Sequence, residues 1–123
     1  MADNNIATDE TDRLIASNKV EGTAVYDRDS NRLGSVYNFM VDKRSGKVEY
    51  AVMSFGGFLG MGEEYHPLPW DQLTYDTDQG GYVVNLSREQ LEGGPHYNAG
   101  NEPTFDRAYG QQVYGYYGSS YNY

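Results

Sequence analysis

From Val20 to Leu86 short runs rich in Val, Tyr and Phe alternate with clusters of Asp, Asn, Ser and Gly, and no stretch in between repeats with a helical period over three turns. That rhythm predicts an all-β meander of short strands. Val20–Tyr26 reads as a first strand, closed by Asp27-Arg-Asp-Ser-Asn31, whose short polar side chains hydrogen-bond their own backbone in turns. Leu33–Val41 is a second strand, ending in Asp42-Lys-Arg-Ser-Gly46, where Gly46 can supply the positive φ of a hairpin. Lys47–Phe55 is a third. It begins with alternation (Val48, Tyr50 and Val52 against Lys47 and Glu49) and turns apolar on both faces through Ala51, Met53 and Phe55, so it should be half-solvated at its start and covered at its end. In Tyr65–Trp70, Pro67 and Pro69 remove ladder donors and confine the segment to an edge or a strand entrance, continued by Leu73–Tyr75. After a turn at Asp76–Gly81, Tyr82–Leu86 places Tyr82, Val84 and Leu86 on one face. Ser87-Arg-Glu-Gln90 then forms a capping box for a short helix that stops at Gly93-Gly94-Pro95. A small antiparallel barrel or a sandwich accommodates this pattern; a parallel βαβ fold does not.

Composition divides the 123 residues into three zones. Residues 1–13 are polar and acidic without hydrophobic period and read as a disordered lead-in. Residues 14–95 hold nearly all the aliphatic side chains and form the single domain. Residues 96–123 are rich in Tyr and Gly. Within this tail Phe105, Tyr109, Val113, Tyr116 and Tyr117 recur near every fourth position, with Asp106 and Arg107 opposite, which predicts an amphipathic helix over 104–117 with Thr104 as its N-cap. Gly110 and Gly115 oppose that helix by roughly 1 kcal/mol each. Once formed, its aromatic face must dock, on the barrel of its own chain or on a neighbour.

Charge and cysteine content exclude several functions. The formal charge is −9, a field that repels phosphate backbones, so no nucleic-acid partner is expected. With Cys at 0 there is no disulfide framework, thiolate metal site or cysteine nucleophile, and a cytoplasmic location is expected. The N-terminus lacks a basic and apolar leader, and no apolar run approaches the roughly 20 residues of a membrane span.

Candidate chemistry is sparse. Asp27, Asp29 and Asn31 match the first positions of a calcium loop, but Arg32 replaces its turn glycine and Asn38 its bidentate Glu, so a turn is the better reading; Asp76, Asp78 and Gly80 are a weaker echo. Gly56-Gly-Phe-Leu-Gly-Met-Gly62 lacks the Lys and Ser/Thr of a phosphate loop and runs into Glu63 and Glu64, which repel phosphate. Phe58, Leu59 and Met61 on that loop need cover, across a barrel mouth or in a partner's groove. The two histidines, His66 and His96, lie far apart without a zinc motif, His66 reads as a packed strand residue, and no metal, cofactor or catalytic residue is expected. Glu63 and Glu64 point apart on a strand, and Asn85-Leu-Ser87 fits a glycosylation pattern by chance.

The runs Leu14–Asp27, Leu33-Gly-Ser-Val36, Met40–Lys43, Ser45–Gly60 and Glu64-Tyr-His-Pro-Leu-Pro-Trp70 together resemble the PRC-barrel domain. That domain is shared by the cytoplasmic part of the photosynthetic reaction-centre H subunit and the ribosome maturation factor. The resemblance covers residues 14–95, and Tyr116-Tyr117-Gly118 is similar to the aromatic end of stand-alone bacterial members. It implies a small, partly open antiparallel β-barrel used for protein contact, with no shared catalytic set, in a group sometimes linked to stress response. The expected function is therefore a non-enzymatic interaction module, a homodimer that docks through Phe58, Leu59, Met61, Trp70, Phe105, Tyr109, Val113, Tyr116 and Tyr117. The alternative is a binder of a small ligand, quinone-like or other, in the barrel mouth, around Trp70, Tyr50 and His66.

Overall fold

The computed structural model describes residues 14–55 and 64–122. The elements run α1 (Ser17–Val20), β1 (Ala24–Tyr26), β2 (Arg32–Val41), β3 (Val48–Phe55), β4 (Glu64–Pro69), a 3-10 turn (Trp70–Gln72), β5 (Thr74–Asp76), β6 (Gly81–Val83), α2 (Arg88–Gly93), β7 (Tyr97–Asn98) and α3 (Arg107–Tyr116). The strands make one seven-stranded sheet in the order β5-β6-β1-β2-β3-β4-β7, curled but not closed, a small open barrel. All neighbours are antiparallel except β1 and β6, which pair in parallel at Val25↔Tyr82 and Tyr26↔Val83. The wholly antiparallel expectation is corrected there. The chain leaves β4 on one side of the sheet, crosses through the 3-10 turn, and lays β6 against β1 on the other.

Three turns use one device. Asp27 Oδ1 accepts from the amides of Asp29 and Asn31, Asp42 Oδ1 from those of Arg44 and Ser45, and Asp76 Oδ1 from those of Asp78 and Gln79, mostly at 2.8–2.9 Å. At Asp76 the Gln79 side-chain amide, donating to Oδ2 at 3.2 Å, contributes most; together with the backbone amides at all three turns such bonds favour the ionised carboxylate and hold the three acids below the usual Asp range. The calcium-like spacings are turn chemistry. The start of the expected first strand is helical instead: Gly22 at φ 86° turns the chain and the Thr23 hydroxyl donates to the Lys19 carbonyl, so Val20 enters the core from α1. In β2, Gly34 permits the curl, since a Cβ there would lie 2.1 Å from the Ser54 carbonyl oxygen.

The main core fills the concave face: Val25, Leu33, Val36, Met53, Phe55, Leu68, Tyr82, Val84, Leu86 and Leu91, capped by Val20. Ser87 caps α2 as expected, its hydroxyl accepting from the Gln90 amide while Gln90 Oε1 accepts from the Ser87 amide. Alternate residues of β3 face the other way. There Tyr50 packs under Val113 and Tyr114 of α3, with Phe105, Tyr109 and Tyr121 around them, and Val52 packs with Tyr65 and Tyr97. This explains why the end of β3 is apolar on both faces: one face belongs to the core and the other to the tail.

The tail therefore docks on its own barrel. Its N-cap is Asp106, whose carboxylate accepts from the Tyr109 amide at 2.9 Å; the expected cap at Thr104 lies two residues early, and a carboxylate also suits the positive helix end. Gly110 is tolerated because the Tyr121 ring lies where its Cβ would be. Tyr114 donates to the Glu49 carbonyl, Tyr116 to the Gln90 carbonyl at 2.7 Å, and Gln72 Nε2 to Ser119 Oγ at 2.8 Å. With β7 paired to β4 at Glu64↔Asn98 and Tyr65↔Tyr97, residues 97–121 are part of the packed unit.

Candidate functional site

Glu64, His66 and His96 come together at the start of β4. Glu64 and His66 are two apart on one strand, so the pleat points both to the same face. His96 arrives from the turn between α2 and β7, which the β4–β7 pairing holds against that end of the strand. The His66 and His96 rings stack with centroids 5.1 Å apart and 25° between planes. Glu64 stands between their Nε2 atoms: Oε1 is 3.2 Å from His66 Nε2 and Oε2 is 3.9 Å from His96 Nε2. The three ligand atoms all lie within 4.8 Å of one another.

The surroundings fix the two rings unequally. His66 is fully buried and edge-on to Phe55 at 5.1 Å, with its Nε2 toward Glu64. Burial lowers its pKa; the Glu64 carboxylate and the Leu91 backbone oppose this, and the net direction is down, toward the neutral ring. His96 is more than a third exposed, and its Nδ1 sits 2.9 Å from the Gly94 carbonyl. Because a carbonyl can only accept, that nitrogen carries a proton, and Nε2 is the nitrogen turned toward Glu64. The Arg88 guanidinium stacks 5.1 Å over the Phe55 ring, which also meets the His66 ring edge-on.

The sequence reading set the two histidines apart as unconnected, and the structure corrects it. Thirty residues separate them, and no local motif announces the β4–β7 pairing that joins them. The one local signal was Glu64-Tyr-His66, an acid and an imidazole on the same face of a strand.

The residues expected to form a docking surface are distributed differently. Phe58, Leu59 and Met61 lie outside the described residues. Trp70 is half-buried between Phe39 and Tyr82. Val113 is fully buried, and Phe105, Tyr109 and Tyr117 are half-buried in the same contact with the barrel, because α3 has a single apolar face and its own chain uses it. Tyr116 alone of the tail set is widely exposed, at 45%. The proposed ligand mouth does not assemble: Tyr50 faces α3, whereas Trp70 and His66 belong to the concave side, a consequence of the two-residue pleat.

A second feature of the outer face is an aromatic series across the sheet. Tyr37 on β2, 50% exposed, lies 4.4 Å from Tyr65 on β4; Tyr65 is 5.5 Å from Tyr97 on β7, and Tyr97 is 6.4 Å from Phe105. Burial, helped by the Glu102 charge, pushes the Tyr97 hydroxyl up to about 12. No helix among the described residues is long and apolar enough to cross a membrane.

No curated protein matches the chain. The family model for the PRC-barrel domain matches residues 12–91, well over half the chain and the whole span from α1 through most of α2, and so this chain belongs to the PRC-barrel domain family.

Proposed function

We propose that this protein is a non-catalytic interaction module of the cytoplasm that pairs with a second copy of itself through the outer aromatic face. The observation that carries this reading is the series Phe105, Tyr97, Tyr65 and Tyr37, whose last ring is left half in solvent. Tyrosines of this kind present large rigid area at small entropic cost and are enriched at contact cores. Ser35, Ser54 and Tyr65 are in register across β2, β3 and β4, so Tyr37 lies near the strand ends that lead into the connection bearing Phe58, Leu59 and Met61.

The test is sedimentation velocity of the full chain beside Tyr37→Asp and Phe58→Asp. A wild-type dimer that becomes monomer in both variants, with unchanged melting, is the expected result. A monomeric wild type, or a dimer that neither variant disturbs, overturns the reading.

A further inference from the structure

We infer that Glu64, His66 and His96 form a binding site for a divalent first-row transition ion of the zinc class, clamping β4 to the turn that enters β7. Two imidazole nitrogens and one carboxylate are a donor set that such ions select, and one that magnesium and calcium, which prefer all-oxygen shells, do not. The geometry is close to what is needed. Tetrahedral zinc with bonds of about 2.1 Å requires ligand atoms about 3.4 Å apart; the Glu64–His66 pair is at 3.2 Å and the widest pair is no more than 4.8 Å. Closing that difference falls to Glu64 and His96, both more than a third exposed, while buried His66 stays fixed.

Two further observations point to a cation. The Nδ1 of His96 lies 2.9 Å from the Gly94 carbonyl, which can only accept, so Nε2 is the nitrogen turned toward Glu64, 3.9 Å from its Oε2. A metal-bound histidine shows the same arrangement, its second nitrogen donating to a backbone carbonyl and fixing the tautomer. The second observation is fully buried His66, whose Nε2 is already aimed at the Glu64 carboxylate, 3.2 Å from Oε1, so the cluster has one ligand nitrogen held in place by packing. The exposed side of Glu64 and His96 leaves room for water to complete the coordination shell. The net charge of −9 favours accumulation of any divalent cation, so selectivity and location, not attraction alone, have to be measured.

The experiment is calorimetric titration of the full metal-free chain with zinc chloride, followed by cobalt(II) absorption and thermal melting, beside Glu64→Gln and His96→Ala. Both substitutions are at partly exposed positions, and melting without metal verifies that the variants are folded. Expected are one zinc per chain, a raised melting temperature that equal magnesium or calcium does not produce, a cobalt spectrum of nitrogen and oxygen ligation, and affinity at least about tenfold weaker in each variant. Absence of zinc binding, binding matched by magnesium, or stoichiometric binding that persists unchanged in both variants would each overturn the assignment.

Discussion

Docking of α3 on its own barrel rests most heavily on Val113, which is fully buried between Tyr50 and the aromatic residues of the tail. Val113→Ala removes two carbon groups from that contact, about 1.6 kcal/mol at roughly 0.8 kcal/mol each. Incomplete collapse of the remaining space raises the total to about 2 kcal/mol. Gly115 in the same helix provides the opposite sign. Its φ is not in the left-handed region and a Cβ there meets nothing within 4 Å, so Gly115→Ala should gain helix propensity and stabilise by about 0.5–1 kcal/mol. Urea unfolding followed by far-ultraviolet circular dichroism measures both, at two protein concentrations about tenfold apart. The two midpoints should move in opposite directions, with a Val113→Ala loss of roughly 1 M urea if the slope is near 2 kcal/mol per molar. A Val113→Ala loss below about 0.5 kcal/mol would refute packing of the helix on the barrel. A loss that appears only at high concentration would refute packing on the same chain, since only docking across chains makes that contact depend on concentration.

Gly34→Ala should be among the most damaging single changes, at about 3 kcal/mol, because its Cβ would sit 2.1 Å from the backbone oxygen of Ser54 and β2 or β3 must shift by about 1 Å; a melting temperature within a degree or two of wild type would contradict the close approach. Stability should also fall on the alkaline side. Burial raises the hydroxyl of Tyr97 to about 12, and those of Tyr50, Tyr109 and Tyr117 above the usual tyrosine value, so the fold holds them protonated. Their contribution is complete below the unfolded value near 10 and is lost as pH climbs from there through 12, so urea midpoints should drop between about pH 10 and pH 12; a flat profile would show that these rings are solvated.

The strands were readable where burial is one-sided or where a turn imposes a residue type. Asp42 and Gly46 mark the β2–β3 hairpin because the turn needs a side-chain acceptor and a left-handed residue, and the structure uses both. Tyr82, Val84 and Leu86 share a face because the pleat has period two, and all three lie in the main core. Pro67 and Pro69 marked an edge, and they do fall in the part of β4 that β7, only two residues long, does not reach. Val20–Tyr26 misled for a local reason: its apolar residues suit a strand, but Gly22 and the Thr23 hydroxyl bond back to Lys19 favour a turn. The parallel β1–β6 pairing and the docking side of α3 are long-range choices. They depend on which face of the curled sheet remains apolar, and periodicity records a face without naming what covers it.

The same limit hid the Glu64, His66 and His96 cluster, and it shows how the two proposals are related. On β4, Tyr65 points to the aromatic outer face while Glu64 and His66 point away from it. At β7, Tyr97 belongs to the outer series and its neighbour His96 to the cluster. Both sites thus meet at one two-residue pairing, Glu64↔Asn98 and Tyr65↔Tyr97, and use opposite faces of it. An ion held by Glu64, His66 and His96 would fix the turn that carries Tyr97, and a partner seated on Tyr37 and Tyr65 would fix the strand that carries Glu64 and His66. On these two proposals each event would lower the ordering cost of the other, and by linkage the two effects would be equal in free energy. The pairing is short enough for that cost to matter, since a two-residue strand at a sheet edge has few hydrogen bonds of its own to hold it.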